Sequence, residues 1–357
     1  MSETMLAAMV TAPGRVELRE VPRPKLGPYD ALTRTLACSF CRGTDTHLIH
    51  GTLPFGPPMP FILGHEGVGE VIATGERCRK FRVGDRVLRA GAAYPAGMEG
   101  APRIGWGGFA EYGLLTDIEA LRADDPSARP TAGSAAMQQP IPLEMDANEA
   151  TVLITLKETL SALRRARFQP GMDVLILGTG PVGLAFAMCA RALGARKILA
   201  AGRHVGRLDR MRRFGADEGA DLTAGEIGPL VKAATGGRGV DLAIDAVGDR
   251  SRIGALLATL ARGGSVGIYG VPEGSLAEYH RYAFDAKGAP DWWSLTVINP
   301  DEPSAHEEAL GLVERGKLDL GRFVTHTFPL ERFEDAVAAL ASPDAVKVVV
   351  TFANKGE

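Results

Sequence analysis

One glycine-rich turn constrains the fold of this chain more than any other feature of its sequence. The turn reads Gly178-Thr179-Gly180-Pro181-Val182-Gly183, directly after the apolar run 173–177 and at the start of a helical pattern over 181–193. In such a turn the first glycine permits a tight bend, the second lets the backbone approach a pyrophosphate, and the third lets helix and strand pack closely. The helix N-terminus adds N–H donors and partial positive charge. We therefore predict a dinucleotide site formed by Gly178, Gly180, Pro181, Val182 and Gly183.

The surroundings of this turn favour ligand binding over a turn that serves packing alone. Helical patterns at 150–168, 181–193, 207–214 and 252–260 alternate with apolar strands at 173–177, 197–201, 240–246 and 265–269. This alternation predicts βαβ units and therefore an α/β fold with a doubly wound parallel sheet. The first stretch of about 120 residues instead contains short strands separated by turn residues. That pattern predicts an antiparallel sheet or a partial barrel.

Composition excludes several classes of protein. The chain has 357 residues, 45% of them hydrophobic, and its 40 basic and 43 acidic residues give a net charge of −3. A nucleic-acid-binding protein would show a basic excess or stripe, and a membrane span would need roughly 18 consecutive apolar residues; neither is present, so we expect no nucleic-acid or membrane partner. Residues 1–10 do not resemble a secretory signal, and the 4 cysteines cannot form a disulfide framework in so long a chain. We expect a cytoplasmic location.

The residues after the second strand of the α/β region indicate which dinucleotide binds. An acidic residue there would hold both ribose hydroxyls of NAD, but the chain reads Gly202-Arg203-His204, with Arg207 one turn later. Because Arg203 can pair bidentately with a 2′-phosphate, we predict NADP, with NAD as the alternative if the arginines are only solvated. Val247, after the predicted strand 240–246, should also lie near the cofactor. Tyr269, at the end of the predicted strand 265–269, should lie on the nicotinamide side. The further predicted contacts are Gly202, Arg203, Arg207, Val247 and Tyr269.

A second group of residues has the chemistry of a metal site. Cys41 lies in a turn, and His65-Glu66 follow before another strand. Thiolate, imidazole and carboxylate are ligands of catalytic zinc, which keeps one position open for water or substrate. Cys38 and Cys41 form a CxxC, but there is no second pair, so a structural four-cysteine site is excluded. Taken singly, Cys41 could equally be a small buried hydrophobic residue, and His65 an ordinary core or surface histidine.

Four stretches in this order resemble the zinc-containing medium-chain alcohol, polyol and sugar dehydrogenases over essentially the whole chain. They are Cys41–His47, Gly64–Val71, Phe81–Val87 and Gly178–Gly183. The resemblance implies a GroES-like β-rich catalytic domain at 1–153 and 299–357, a Rossmann domain at 154–298, and a homodimer or homotetramer. It also implies that Cys41 and His65 hold catalytic zinc, with Glu66 either just behind the ligands or as an alternate ligand. Thr44 matches the hydroxyl that relays the alcohol proton, and His47 the outer end of that relay.

The chain departs from the family pattern at two places that concern the metal. The family usually reads Cys-x-Ser/Thr-Asp, whereas this chain reads Cys41-Arg42-Gly43-Thr44-Asp45, so either Arg42 is an insertion or it occupies the position of the cysteine. The next ligand of the family falls on Ile154, which cannot bind metal; Glu158 lies one helical turn later.

The expected function is hydride transfer between a nicotinamide cofactor and a secondary alcohol, polyol or sugar-type hydroxyl, or the matching ketone, with the help of zinc. A first alternative is a zinc-free, NADPH-dependent carbonyl or enone reductase in which Arg42 or Lys157 polarises the acceptor. A second alternative is an NADPH-binding protein without catalytic activity. The family resemblance favours the dehydrogenase.

Overall fold

The computed structural model describes residues 3–270 and 287–353. The strands are β1 (Thr4–Ala12), β2 (Arg15–Pro22), β3 (Asp30–Ser39), β4 (Phe61–Ile62), β5 (Glu66–Thr74), β6 (Arg86–Leu88), β7 (Arg103–Ile104), β8 (Tyr112–Thr116), β9 (Pro140–Ile141), β10 (Asp173–Leu177), β11 (Lys197–Gly202), β12 (Glu218–Asp221), β13 (Val240–Asp245), β14 (Leu260–Ile268), β15 (Ser294–Val297), β16 (Val324–Pro329) and β17 (Lys347–Thr351). The helices are α1 (Arg42–His50), α2 (Ile118–Asp124), α3 (Ala147–Arg165), α4 (Pro181–Ala192), α5 (Val205–Arg213), α6 (Ile227–Ala234), α7 (Ile253–Leu257), α8 (His306–Glu314) and α9 (Phe333–Ala339).

The chain divides into two compact units. Unit 1 comprises Met1–Ile154 and Leu320–Glu357, and unit 2 comprises Thr155–Asp319. The first boundary lies one residue from the predicted 153/154, but the return to unit 1 falls at Leu320 rather than at 299. The intervening segment stays with unit 2 because it is bonded to α3: Arg164 pairs with Glu308, and the Asp301 N–H donates to Ser161 Oγ at 3.0 Å.

Unit 1 is built from two sheets of short, mostly antiparallel strands. One sheet has the order β2-β1-β4-β7, and the other has the order β16-β17-β3-β5-β6-β9 with β8 paired to β3. An aromatic cluster of Phe40, Phe109 and Phe333 lies in the core, with ring centroids of Phe40 and Phe109 4.4 Å apart. The pairing of β17 with β3 and of β3 with β5 brings Ser39, Glu66 and the start of the final strand together. The predicted β-rich unit is therefore present.

Unit 2 contains the predicted doubly wound parallel sheet. Its strand order is β12-β11-β10-β13-β14-β15, and each pairing is parallel. All five residues of β10 are buried, and its four apolar residues 174–177 fit a strand covered on both faces. In this order the carboxyl ends of β10, β11, β13 and β14 lie along one edge, which is where a doubly wound sheet binds its ligand.

The largest difference from the predicted boundaries in unit 2 lies between α7 and β14. Helix α7 ends at Leu257 and β14 begins at Leu260, whereas the sequence pattern suggested a helix to 260 and a strand from 265. The helix is short because the Val240 N–H donates to Thr259 O at 2.9 Å, so the chain already pairs with β13 at that point. None of the helices within residues 3–270 and 287–353 combines the length and apolar character needed to cross a membrane.

Candidate active site

The glycine-rich turn forms a backbone cradle at the carboxyl end of β10. Gly178 has φ +117°, and a Cβ on Gly183 would lie 2.0 Å from Gly178 O, so the turn and the helix approach too closely for a side chain. Gly180 differs, since a Cβ there would meet no atom within 4 Å. Pro181 and Val182 then begin α4, whose first N–H groups have no helical partner. The open space at Gly180 beside a helix N-terminus fits a bound pyrophosphate.

The residues predicted to select the cofactor lie at the end of the neighbouring strand β11. A Cβ on Gly202 would lie 2.5 Å from Thr179 Cγ2, so only glycine fits against the turn. Arg203 is exposed and Arg207 is partly buried at the start of α5. The guanidinium of Arg203 is thus accessible at this end of the sheet.

The carboxyl ends of β13 and β14 carry the other two predicted cofactor contacts. Val247 is 51% exposed, and the N–H groups of Val247 and Gly248 donate to Asp245 Oδ1 at 2.9 Å. Tyr269 packs edge-on against Phe186 and donates its hydroxyl to Glu158 Oε2 at 3.1 Å. Glu158 is therefore a hydrogen-bond partner of Tyr269 within unit 2.

A cluster of potential metal ligands lies in unit 1. Cys41 is the residue before α1, and the His65-Glu66 pair stands at the start of β5. Ligand atoms of Cys41, His65 and Glu66 all lie within 4.8 Å of one another. Gly64 is needed here because its φ is +98° and a Cβ would lie 2.5 Å from the Phe109 ring. Cys41, and not Arg42, is the member of the motif that lies beside His65.

Asp45 holds two members of this cluster in place. It is fully buried, its Oδ2 accepts the Cys41 N–H at 2.9 Å, and its Oδ1 lies 3.2 Å from His65 Nδ1. Burial lowers the pKa of His65, but the Asp45 carboxylate and Cys41 outweigh it and raise that pKa well above 6.5. Because Asp45 faces Nδ1, the imidazole Nε2 is the nitrogen left for a metal ion.

Glu66 is bonded on both sides by protein groups. Lys347 Nζ lies 2.5 Å from each carboxylate oxygen, and Ser39 Oγ donates to Oε2. Burial raises the pKa of Glu66, but the Lys347 ammonium outweighs it and holds that pKa below its usual value. Glu66 is thus an anion compensated by Lys347 as well as a member of the cluster.

The two predicted relay residues have separate partners. The Cys41 thiol donates to Thr44 Oγ1 at 3.6 Å, and His47 Nδ1 lies 2.8 Å from Thr52 Oγ1. Within the described part of the chain, Thr44 and His47 do not hydrogen-bond to each other. A proton passing from Thr44 to His47 therefore needs an intervening group.

Lys157, named in the zinc-free alternative, and Ile154, at the family's usual ligand position, are both fully buried. Lys157 is fully buried, and its Nζ lies 3.1 Å from Glu302 Oε1. That placement does not fit a group that polarises a substrate carbonyl. Ile154 is fully buried, in agreement with its apolar character.

A cavity of about 450 Å³ opens in unit 1, and we call it the Trp106 cavity. Its lining comprises Phe55, Pro57, Gly91, Ala92, Ala93, Ile104, Gly105, Trp106, Thr131, Ala132, Gly133 and Ser134. The Trp106 ring connects it to the cluster, since its centroid lies 5.4 Å from that of the His65 ring.

Sequence reasoning missed the roles of Asp45 and Lys347. Asp45 lies four residues after Cys41, a helical spacing that could have suggested a bond back to the turn. Lys347 carries no such signal, because 281 residues separate it from Glu66.

Comparisons with known proteins agree with this geometry. Residues 27–125 match the alcohol dehydrogenase GroES-like domain, and residues 181–288 match the zinc-binding dehydrogenase family. An alcohol dehydrogenase of Cupriavidus necator is 30% identical, covering 95% of this chain and 95% of that protein. The sorbitol dehydrogenase of Bacillus subtilis is 28% identical over 98% of this chain and 97% of that protein.

Solved structures show the same architecture. Alcohol dehydrogenase TADH from Thermus sp. ATN1 superimposes with a TM-score of 0.79 at 26% identity, covering 98% of this chain and 100% of that one. A zinc-binding dehydrogenase from Sinorhizobium meliloti 1021, bound to NADP, gives a TM-score of 0.74 at 26% identity with the same coverage.

A β-rich GroES-like unit with a thiol, imidazole and carboxylate cluster, joined in sequence to a parallel nucleotide-binding sheet, defines a zinc-type medium-chain dehydrogenase. The chain belongs to the zinc-binding alcohol dehydrogenase family. It is accordingly an oxidoreductase of the alcohol dehydrogenase type that uses a nicotinamide cofactor. The predictions of family, fold class, enzyme class and nicotinamide cofactor are confirmed.

Proposed function

We propose that this enzyme oxidises an alcohol with NADP⁺, or reduces the matching ketone with NADPH, at a zinc site formed by Cys41, His65 and Glu66. The observation that carries the proposal is the clustering of the three ligand atoms within 4.8 Å. The known relatives named alcohol dehydrogenase and sorbitol dehydrogenase support the reaction type.

The donor set suits zinc. Thiolate, imidazole and carboxylate are its usual protein ligands, and three protein ligands leave a position for water or substrate. The Asp45 contact at His65 Nδ1 is the kind of outer contact that orients a ligating histidine. Glu66 would be shared between the ion and Lys347. When bound, zinc would supply Lewis-acid stabilisation of the substrate oxygen.

The protein's own groups would handle the proton and the cofactor. We assign Thr44 Oγ1 to the proton of the substrate hydroxyl, since Thr44 lies beside Cys41 in the cluster. His47, which bonds Thr52, would exchange that proton with solvent through an intervening hydroxyl or water. The cradle at Gly178, Gly180 and Gly183 would hold the pyrophosphate, with Val247 and Tyr269 toward the nicotinamide.

The preference for NADP rests on Arg203. Its exposed guanidinium follows β11, where an NAD enzyme would carry a carboxylate. We expect Arg203→Asp to raise the Kd of NADP⁺ by about 100-fold or more while leaving that of NAD⁺ within a few-fold, because a bidentate phosphate contact is replaced by repulsion. Arg210→Asp, on helix α5 just after Arg203, is the control. Equal effects on both cofactors would contradict the assignment.

We also propose a homodimer or homotetramer in the cytoplasm. Among the described residues, β15 is the edge strand of its sheet and is largely exposed; Val297 within it and Trp292 just before it are 49% and 65% exposed. Exposed apolar edge strands favour pairing with another chain. Light scattering should give two or four times the mass of one chain, and Val297→Lys should reduce it; a monomer would refute this proposal. The free state of all described cysteines suits a reducing compartment.

The decisive experiment is the zinc content of the purified protein, measured by mass spectrometry per chain. We expect about one zinc per chain, lost together with turnover in Cys41→Ser, while NADPH binding measured by fluorescence is retained. Cys78→Ser is the matched control, because Cys78 is also a free, partly buried cysteine of unit 1 but lies outside the cluster. An active, NADPH-dependent enzyme without metal would instead establish the zinc-free reductase.

A further inference from the structure

The lining of the Trp106 cavity carries information about the substrate. None of its described lining residues has an ionisable side chain. Its volume of about 450 Å³ is within the roughly 300–1,000 Å³ of small-molecule sites. A substrate ammonium, carboxylate or phosphate would find no counter-ion in this lining. Because removing an unpaired charge from water is costly, a charged substrate would bind poorly here.

The polar side chains in the lining are already bonded to the protein. Ser134 Oγ donates to Arg89 O at 3.3 Å, and Thr131 bonds to the Asp30 carboxylate. Backbone donors are also used, since the Ala92 N–H donates to Gly107 O and the Gly105 N–H to Ile62 O. These four groups are thus engaged with the protein and are not free to replace the water that a polyhydroxylated substrate would lose.

Large apolar surface is presented at the same place. Phe55 is 69% exposed and Trp106 is 36% exposed, whereas the aromatic core residues are buried. Trp106 adopts φ +68°, a left-handed conformation that costs of order 1–3 kcal/mol for a residue other than glycine. The tight packing of Gly91, whose Cβ would lie 2.4 Å from Trp106 O, keeps that backbone in place. The ring is therefore held toward the cavity and His65.

We propose that the substrate is a secondary alcohol, or its ketone, whose uncharged apolar group fills the Trp106 cavity. This inference rests on the proposed function and names the substrate class of the same site. The group is a ring or a branched aliphatic chain, which can pack against Phe55 and Trp106. Polyols, and amino alcohols that carry charge, are poor substrates. In the oxidation, the carbinol C–H bond breaks and its hydride passes to the nicotinamide of NADP⁺, while the hydroxyl proton leaves to solvent, giving the ketone and NADPH.

The test compares substrates that share a secondary carbinol and differ in the attached group: sorbitol, L-threonine and the apolar alcohol cyclohexyl methyl carbinol. The zinc-loaded enzyme is saturated with NADP⁺, and kcat/KM is measured for each alcohol. We expect the value for the cyclohexyl alcohol to exceed the other two by about 100-fold or more, since each buried methylene adds discrimination. Equal or faster oxidation of sorbitol or L-threonine would overturn the inference and leave the proposed function intact. Turnover of none of the three by the zinc-loaded enzyme would overturn this inference, and a protein that cannot be loaded with zinc and turns over none of them would refute the proposed function as well.

Variants in the lining of the Trp106 cavity test whether the preference for an apolar alcohol arises there. A side chain at Gly133 would meet no atom within 4 Å, so Gly133→Asp adds a charge to the lining without a clash. We expect Gly133→Asp to raise KM for the cyclohexyl alcohol by about 10-fold or more, while KM for NADP⁺ stays constant. Ala136→Asp adds the same charge at an exposed residue outside the lining and is the control. If Gly133→Asp and Ala136→Asp gave the same KM for the alcohol, the substrate would lie elsewhere.

Discussion

Lys347 Nζ lies 2.5 Å from the carboxylate of Glu66, and both side chains are at most 2% exposed. The contact joins the first residue of β17 to the residue beside His65, across 281 positions of sequence. It sets the charge of the cluster, because a buried anion next to Cys41 and His65 is compensated before any metal binds. Folding of the C-terminal strand and the chemistry of the candidate zinc site are therefore coupled.

Removal of Lys347 alone should be costly. We expect Lys347→Met to lower the free energy of unfolding by about 3–5 kcal/mol, because the Glu66 carboxylate remains buried without its counter-ion. Urea denaturation with a chelator present measures this loss apart from metal binding. The double variant Glu66→Gln/Lys347→Met is the control, and it should lose clearly less than the single variant. A loss well below that range in the single variant would show that water replaces the ammonium.

Asp45 should govern metal affinity without contacting the ion. We expect Asp45→Asn to weaken zinc binding by about 10–100-fold, because the contact that orients His65 loses its charge. Competition with a chromogenic chelator measures the affinity, and NADPH binding should not change. Asp85→Asn is the control, since Asp85 Oδ2 also accepts a backbone N–H of unit 1, from Arg82 at 2.7 Å. Equal affinities in both variants would mean that Asp45 serves only the turn.

Substitutions at two glycines of the dinucleotide cradle should affect different properties, one the affinity for NADPH and the other the stability of the fold. Gly180→Ala meets no protein atom within 4 Å, so we expect normal stability with NADPH affinity reduced by about 10-fold or more, as the methyl group would occupy the space for the pyrophosphate. Gly183→Ala places its Cβ 2.0 Å from Gly178 O and should lower the melting temperature itself. Calorimetry and fluorescence titration test both. Unchanged NADPH affinity in Gly180→Ala would show that the phosphates lie elsewhere.

A pH-dependent contribution to stability is expected at the start of β10. Buried Asp173 accepts hydrogen bonds from Arg196 and Arg238. Burial raises the pKa of Asp173, but the arginines outweigh it and hold that pKa below 3.8. The ionised form is thus favoured in the folded state, and its contribution is present above the unfolded pKa of about 3.9 and lost as the pH falls through the folded pKa.

Asp173→Asn should accordingly destabilise the protein by about 1–3 kcal/mol at pH 7, since hydrogen bonds to a charged group are lost. The difference from the unmodified protein should shrink as the pH falls below about 4. Urea denaturation over a pH series measures it, with Asp335→Asn as the exposed control. A difference that stays constant through this acidic range would contradict the ionic origin.

Features that depend on neighbours in sequence were predictable. The turn at Gly178–Gly183 forms between β10 and α4 because its glycines, the apolar strand and the helix start are contiguous. The parallel pairing of the sheet in unit 2 follows from the same alternation of strands and helices. The division into a β-rich and an α/β unit was also readable, although the return to unit 1 was placed too early because contacts of the 299–319 segment with α3 cannot be read from its composition.

The arrangement of the cluster was only partly predictable. Cys41 and His65 were named from residue type and family resemblance, but whether Cys41 or Arg42 stands beside His65 depends on where α1 begins. The bond of Tyr269 to Glu158 spans 111 residues, and that of Lys347 to Glu66 spans 281. Pairs at such separation leave no periodic or spacing signal, because packing and not chain connectivity brings them together.

The sequence by itself determined the nucleotide-binding turn, the parallel sheet and the set of residue types that can hold zinc, since each is encoded in a short contiguous segment. Tertiary structure alone decided whether Cys41 or Arg42 lies beside His65, which cation compensates Glu66 and how the segments around 91–93, 104–106 and 131–134 form one cavity. The reason is physical. Local propensity and spacing act within a few residues, whereas charge compensation and the shape of a cavity arise from groups that only the packing of distant segments brings into contact.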